Sequence, residues 1–527
     1  MPAAAATVLA PAALAAAMGA AYVLLNVRSA DLAAHEFRSA LIGEEGLTLW
    51  NGNWYGGHHT LSYSLLFPPL AALLGPKVVG ALAVAGAAAA FAALARERFG
   101  PRALFGVLLF CATAGSLLFS GRLPFALGVA IGLAALLAHQ RDRPWLAAAL
   151  ALACPLASPL AGLFLALAAM TMTLAGDPDR RRASAGLALA ALAPGVLLAA
   201  AFPEGGEQPY PAAQLRSIEI YTLAAVVVLP RSERALRIGG LLYAAVALLA
   251  FVIPSPVGNN VVRLGALLGA PLLLCALAVR RYSLLRLAAG GVVIFLLGWW
   301  QIQPAVGRIL KAGGATDPAG ERAYFEPLIG FLEQAGGPPG RLEIPFTVAK
   351  REIAEVSPEF PLARGWQRQL DVERNPLFYD GPLTSERYER WLRENGVRWV
   401  ALSSSTPEFS SREEVALIRA GPPYLRERWR EGHWQVYEVV PPPPLAAPED
   451  GAEIAVADLG RDHVTLDVRR PGSAVVRVRW SPYWLLRGGC VEPAGEWTRV
   501  TARRTGRLRL VISFSPERLL DRGRRCG

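Results

Sequence analysis

From residue 6 to residue 303 the chain alternates long apolar runs with short polar breaks. A bilayer span needs about 20 consecutive apolar residues. Runs at 6–26, 77–95, 103–120, 124–139, 144–155, 158–176, 184–202, 217–230, 236–253, 261–279 and 284–303 predict eleven membrane helices. The pair 144–176 is short for two full crossings. It reads either as two short tilted helices meeting at Pro155 and Pro159 or as a re-entrant pair buried in protein. Both readings return the chain to the same side, so the parity of the later spans is unchanged. No internal repeat is visible along the chain.

The polar breaks fall into two sets. "RERFGPR" (96–102), "RDR" (141–143), "DRRR" (179–182), "RSERALR" (231–237) and "RRYSLLR" (280–286) are rich in Arg. Alternating with them are the long stretch 27–76, "SGRLP", "PLASP", "FPEGGEQPYPAAQLRS" and "PSPVGNN". Cytoplasmic loops carry the excess of Lys and Arg. The first set is therefore expected inside, which puts the N-terminus in the cytoplasm and the C-terminal domain outside it.

Beyond residue 303 the periodicity changes. "FEPLIGFLEQAG" and "LTSERYERWLRENG" have helical spacing, while "RLEIPF", "VRWVALSS" and "HWQVYEVV" alternate as strands do. Residues 304–440 are read as an extracytoplasmic α/β region. "PPPPLAAPED" (441–450) is read as a stiff linker of polyproline type. Short alternating strands from 451 to 527 predict a β-sandwich-like module. Within it, "RWSPYWLLRGG" is open to two readings, an edge Trp packed on the sandwich or a carbohydrate-stacking surface.

Composition supports the membrane assignment. Of 527 residues 53% are hydrophobic, and mean hydropathy is positive. The net charge of +11 sits in short clusters between apolar runs, a topology signal rather than a nucleic-acid face. The N-terminal run "MPAAAATVLAPAALAAAMGAAYVLLNV" lacks the basic start of a cleaved signal peptide and is read as a retained span. Cys111, Cys154 and Cys275 fall in apolar runs; Cys490 and Cys526 are candidates for a disulfide outside the cell.

Candidate chemistry gathers in 27–76, just after the first span. "SADLAAHEFRSALIGEEGLTLWNGNWYGGHHTLSYSLLFPPLAALLG" carries an acid, three His and two Trp before it returns to apolar sequence. Asp31 and His35 are four apart and share one face of a helix. A general base, a metal site and plain solvation of an interfacial helix are all open. No HxxxH or HExxH spacing occurs, so a metal is not called on motif grounds. "SPVGNNVVRLGALL" places Asn259, Asn260 and Arg263 at the outer start of a span. An Arg at such depth is unfavourable unless paired and often marks a substrate path. Arg122, Arg216 and Glu219 sit at the same level of the sequence-derived topology.

These stretches resemble the opening of GT-C-type membrane glycosyltransferases and related actinobacterial polytopic proteins. Asp31 matches the acid of the family's first outer loop, "WNGNWYGGH" its aromatic-glycine stretch and "YSLLFPPL" its return to the membrane. Residue 32 is Leu where many members carry a second acid. The resemblance implies a fold and a reaction. The fold is a helical bundle of about eleven transmembrane helices followed by an extracytoplasmic α/β plus β-sandwich-like domain. The reaction moves a sugar from a polyprenyl-phosphate-linked donor to a glycan or other polar envelope acceptor at the outer face. Asp31 would be the base. Arg263, with Arg122 or Arg216, would hold the lipid phosphate. Trp50, Trp54, Tyr55, His35, His58 and His59, with Glu219, Asn259 and Asn260, would line the substrate groove. Membrane lipid is an expected partner and nucleic acid is not; a divalent metal stays open. The alternatives are a transporter or flippase, and a non-catalytic envelope scaffold.

Overall fold

The computed structural model describes residues 2–279, 282–312, 318–515, 517, 518 and 526. Arg280 and Arg281 of the fifth Arg-rich break lie outside them. The chain forms two compact units. One comprises Met1–Gly43 and Leu61–Thr316; the other comprises Glu44–Thr60 and Asp317–Gly527. The polar stretch 27–76 is thus divided, with its ends in the first unit and its middle in the second.

The first unit is helical. Each of the eleven apolar runs contains a helix. Among the described residues, seven helices are long and apolar enough to cross a membrane, the marks of a multi-pass membrane protein. Ala10–Leu24, Pro144–Ala157 and Pro159–Ala175 are shorter apolar helices. Ala212–Val228, which carries Arg216 and Glu219, is also helical. The last helix continues past residue 303 to Ala312. Proline opens several of these helices, at Pro76, Pro144 and Pro159, where its missing N–H has no intrahelical partner to lose. Small residues set the spacing between them. A Cβ on Gly128 would meet the Ala161 Cβ at 2.6 Å and the Ser158 Cβ at 2.8 Å, so glycine on one helix lets the small side chains of the next approach closely, as in packed membrane helices.

The Arg-rich breaks come together at one end of this bundle. Arg98 pairs with Glu233 at 2.7 Å, Arg141 with Glu97 at 2.7 Å, and Arg180 with Asp142. Arg102 donates to the Val279 carbonyl at 3.3 Å. Four connections far apart in sequence, and the approach to a fifth, therefore share one rim. At the far end of the helices, 144–175 breaks at Ser158, whose hydroxyl caps the second helix by accepting from the Ala161 N–H at 3.4 Å. The first helix ends with open carbonyls at 156 and 157. The returning stretch satisfies them: Leu65 and Leu66 N–H donate to the Leu156 carbonyl at 2.8 and 3.1 Å, and the Ser64 hydroxyl donates to the Ala157 carbonyl at 2.7 Å.

The second unit is rich in β-structure. Its α/β part has a four-stranded sheet in the order Arg341–Glu343, Val397–Ser403, Trp434–Val439, Leu425–Glu431. The first pair is parallel and the others antiparallel. Leu425–Glu431, "LRERWRE", escapes a periodicity reading because its charges face outward on an edge strand, a common protection against edge pairing. Two further four-stranded sheets form a sandwich. One runs Gly489–Ala494, Trp497–Ala502, Gly472–Arg479, Ala446–Pro448; the other runs Trp484–Leu486, Gly506–Ile512, His463–Arg470, Glu453–Leu459. Ile454, Leu466, Val476, Val500, Leu508 and Trp484 fill the space between them, each side chain contributing about 1.5–3 kcal/mol by burial. The Pro-rich stretch enters this module, since Ala446–Pro448 pairs with Gly472–Arg479. In "RWSPYWLLRGG", Tyr483 and Trp484 are buried and the Trp484 indole donates to the Arg479 carbonyl at 2.9 Å, the packing reading of that stretch. Cys490 and Cys526 form a disulfide.

Leu466→Ala, in the middle of the sandwich core, is expected to lower the stability of the second unit by about 2–5 kcal/mol. Thermal unfolding in detergent with a reporter in that unit checks it; a change below ~1 kcal/mol would contradict the packing described.

Candidate functional site

The site is built from three connections at the end of the helical unit away from its Arg-rich rim. The first is the helix Ala30–Glu45, which follows the helix Pro2–Leu24 almost directly. Asp31 lies in its first turn, where a carboxylate is favoured by the helix dipole. His35 is one turn on and Arg38 one further turn, so the three share a face. The second is the tight connection Ser120–Arg122. Gly121 has φ +72°, and a Cβ there would meet the Asp31 Cβ at 2.9 Å and the Leu32 N at 3.2 Å. Only glycine lets this turn lie against the start of the acid-bearing helix. The third is the return segment with Tyr63, held in place by the Ser64 hydroxyl and the Leu65 and Leu66 N–H groups.

His35 is 2% exposed and donates from Nε2 to the Gly121 carbonyl at 3.0 Å. A carbonyl only accepts, so this nitrogen holds the proton. Burial pushes the imidazole down to about 4; the Asp31 charge opposes this, Arg38 adds to it, and the Gly121 carbonyl opposes it. His35 is therefore neutral around neutral pH. It stacks on Tyr63 at 6.2 Å between ring centroids and packs on Phe67 at 5.4 Å. The Arg38 guanidinium lies 4.9 Å from the Tyr63 ring centroid. Burial raises the Tyr63 phenol above its usual range; Arg263 opposes this, Asp31 adds to it, and Arg38 and Arg122 oppose it. The phenol is thus a protonated hydrogen-bond donor set among one acid and three guanidinium groups.

Arg263 comes from a fourth element. It lies in the short helical turn Val262–Leu264, which passes into a π-helical turn at Gly265–Gly269. Such turns recur at functional sites. The ionisable groups that face Arg263 are the Tyr63 phenol and the Asp31 carboxylate. Its guanidinium lies 5.6 Å from the Phe125 ring centroid and makes no hydrogen bond or ion pair among the described residues. Asp31, His35, Arg122 and Arg263 are therefore brought together, and Arg38 and Tyr63 join them.

The other expected site residues fall on other elements. Arg216 is exposed on the helix Ala212–Val228. Glu219, one turn on, acts on Tyr210 and Tyr243. Asn260 donates to the Pro256 carbonyl at 3.4 Å within its own turn, and Asn259 is half-buried beside it. Trp50, Trp54, Tyr55, His58 and His59 belong to the second unit and are buried there. Trp50–Asn51 and His58–His59 pair as a small antiparallel ribbon. Trp54 stacks on His58 at 5.3 Å and donates to the Ser357 hydroxyl at 3.0 Å. The Tyr55 phenol donates to the Gln367 carbonyl at 2.9 Å. His59 bonds the Ser481 hydroxyl at 3.0 Å, and Trp50 packs edge-on to Trp484 at 5.2 Å. These side chains fix the ribbon within its unit.

Among the described residues, no group of three or more His, Cys, Asp or Glu is placed to hold a metal ion. No protein-family model matches the chain, and no curated protein matches it in sequence. Solved structures do match. ArnT from Cupriavidus metallidurans, in the apo state, is 14% identical, with 78% of this chain and 93% of that chain covered at a TM-score of 0.34. The archaeal oligosaccharyltransferase AglB from Archaeoglobus fulgidus, in complex with an inhibitory peptide and a dolichol-phosphate, is 12% identical. The match covers 75% of this chain and 69% of that one at a TM-score of 0.33.

Arg38 and Tyr63 are not singled out by sequence reasoning. Arg38 had a signal, because it continues the Asp31–His35 face at helical spacing. Tyr63 had none beyond its place in the return segment.

The depressed imidazole sets a pH dependence. The unfolded chain takes up a proton near 6.5 and the folded protein only near 4. His35 thus contributes stability above pH 6.5 that is lost as pH falls toward 4, by on the order of 3 kcal/mol. His35→Gln keeps a donor for Gly121 and does not titrate. Its unfolding should be correspondingly less sensitive to acid than the wild type's; parallel curves would show that His35 is not buried neutral.

Proposed function

We propose that this protein is a membrane glycosyltransferase of the GT-C type, using a polyprenyl-phosphate-linked sugar as donor. The observation that supports it is the convergence of Asp31, Tyr63, Arg122 and Arg263 at one end of an apolar helical unit. An acid beside guanidinium groups suits a reaction that takes a proton at one atom and leaves a phosphate at another. In the proposed step the acceptor hydroxyl oxygen attacks the anomeric carbon of the sugar. The bond from that carbon to the phosphate oxygen breaks, and the electron pair leaves with the lipid phosphate. Asp31 takes the hydroxyl proton as general base. Arg263 and Arg122 hold the phosphate and stabilise its added charge. His35, neutral and fixed to Gly121, holds the acid-bearing helix against the Ser120–Arg122 turn. Arg216, exposed and outside this cluster, has no part in the step.

The gathering of the Arg-rich connections at the other end of the unit supports a cytoplasmic rim and a reaction at the outer face. The Cys490–Cys526 disulfide supports a C-terminal unit outside the cytoplasm, because disulfides persist in oxidising compartments. The acceptor in this reading is a glycan or another polar envelope component.

The test is donor turnover. Purified protein is reconstituted with a panel of polyprenyl-phosphate sugars and envelope extract, and released polyprenyl phosphate is measured. Wild type is expected to release it from one donor, and Asp31→Asn to do so roughly 10²–10⁴-fold more slowly. Equal release by a folded Asp31→Asn would remove the base. Arg263→Ala is expected to weaken donor binding by roughly tenfold or more, in line with about 1.5–3 kcal/mol for a charged hydrogen bond; unchanged donor affinity would remove the phosphate clamp. No release from any donor, together with solute flux in proteoliposomes, would point to a transporter.

A further inference from the structure

The α/β part of the second unit buries a network of ionisable side chains that the reaction above does not use. Arg364 is its centre and is 1% exposed. Its guanidinium lies between two rings, with centroids 4.1 Å away at Phe346 and 3.9 Å away at Phe378. It grips Asp371 with two bonds, Nε to Oδ1 at 3.2 Å and Nη2 to Oδ2 at 2.6 Å. Its third nitrogen reaches Glu414 Oε2 at 3.3 Å. The Tyr388 phenol donates to the other Glu414 oxygen at 2.9 Å. Asp371 also receives bonds from the Tyr379 phenol and from Asn375.

Glu343, at the end of the strand Arg341–Glu343, enters this network fully buried, at 0% exposure. Neither of its carboxyl oxygens meets a hydrogen-bond donor among the described residues. The side chain within its reach is a second carboxyl, Glu414. Two carboxylates side by side in a buried layer repel each other, and an unpaired buried charge is strongly unfavourable. One proton removes both problems, because it turns an acceptor into a donor.

We propose that Glu343 is a carboxylic acid in the folded protein and donates its proton to Glu414, so that the pair holds one negative charge. The proton belongs on Glu343 because Glu414 already has Tyr388 and Arg364 as donors. Charge balance agrees: Arg364 faces Asp371 and Glu414, and a third carboxylate would have no cation of its own. Arg368, the next guanidinium, is engaged by Glu408 at 2.7 Å and by the Tyr379 phenol at 2.5 Å. Burial raises Glu343 well above its ordinary 4.5; the Glu414 charge raises it further, Arg364 opposes, and Asp371 adds to the rise.

This makes the strand Arg341–Glu343 the alkali-sensitive edge of its sheet. The folded protein keeps a proton that the unfolded chain releases near 4.5. The pair's contribution to stability is therefore full at and below the ordinary carboxylate range. It declines as pH rises from there toward the raised value of the folded state. The strand is short, held on one side by Val397–Ser403 and on the other by residues 361–363, where Leu342 N–H donates to the Pro361 carbonyl at 3.0 Å and Ala363 N–H to the Leu342 carbonyl at 2.9 Å, so its docking is the local contact that deprotonation weakens. The inference stands apart from the proposed transferase reaction.

The test is infrared difference spectroscopy on the full chain in detergent. At neutral pH, wild type minus Glu343→Gln is expected to show the C=O stretch of a protonated carboxylic acid. That band should vanish at higher pH together with a downward shift in the wild type's melting temperature. Glu343→Gln offers an amide donor to Glu414 and should melt no lower than wild type at neutral pH, with a flatter response to alkali. Absence of the band at neutral pH, or a variant that melts lower with an unchanged alkaline slope, would overturn the proposal. If the variant does not fold, ¹³C-carboxyl labelling of glutamate in the wild type gives the answer directly. A protonated glutamate signal persisting at neutral pH supports the pair, and its absence sinks it.

Discussion

Backbone satisfaction at one break in the helical unit is the constraint on which the candidate site depends. The hairpin 144–175 opens at Ser158, and its first helix ends with bare carbonyls. In an apolar surrounding each unpaired carbonyl is unfavourable. Ser64, Leu65 and Leu66 supply the missing donors, and Tyr63 is the residue just before them. The position of the phenol is therefore set by hydrogen bonds that the helix break requires. A second close approach fixes the other side: Gly121 lets its turn meet the start of the helix Ala30–Glu45, and His35 closes the contact through the Gly121 carbonyl. Charge is then gathered on a frame held by these neutral hydrogen bonds.

The two units treat ionisable groups differently. In the helical unit most charge is at the Arg-rich rim, where exposed pairs such as Arg141–Glu97 contribute little to stability and mark topology. At the other end Asp31, Arg38, Arg122 and Arg263 stand around one phenol, that of Tyr63. In the second unit one cluster of charge lies inside. Arg364, Asp371 and Glu414 are almost fully buried and are tolerated because nearly every donor finds an acceptor. Breaking such a network by removing one member leaves the others uncompensated.

Much of this was legible from residues alone. Apolar run length gave the helices, because the 20-residue requirement is a property of a bilayer and of helix rise. Asp31 and His35 read as one helical face, and they are one. The disulfide candidates pair. The edge strand Leu425–Glu431 was not legible, since an exposed edge bears no apolar alternation. Nor was the fate of "WNGNWYGGHH" in the second unit, where its rings meet Ser357, Gln367, Ser481 and Trp484. Those partners lie some 300 to 430 positions on in the chain, and local pattern holds no information about them.

By itself, the sequence determined what short-range physics can encode: where helices start at proline, where apolar runs are long enough to cross a bilayer, and which breaks carry arginine. Tertiary structure alone decided that Arg122, Arg263 and Tyr63 stand with Asp31, that Arg216 stands apart, and that Glu343 meets Glu414. The reason is that helix and strand periodicity fix which face of an element a residue occupies. What that face meets is set by packing between elements distant in the chain, through close approaches at residues such as Gly121 and Gly128 and through the pairing of buried polar groups such as His35 with the Gly121 carbonyl.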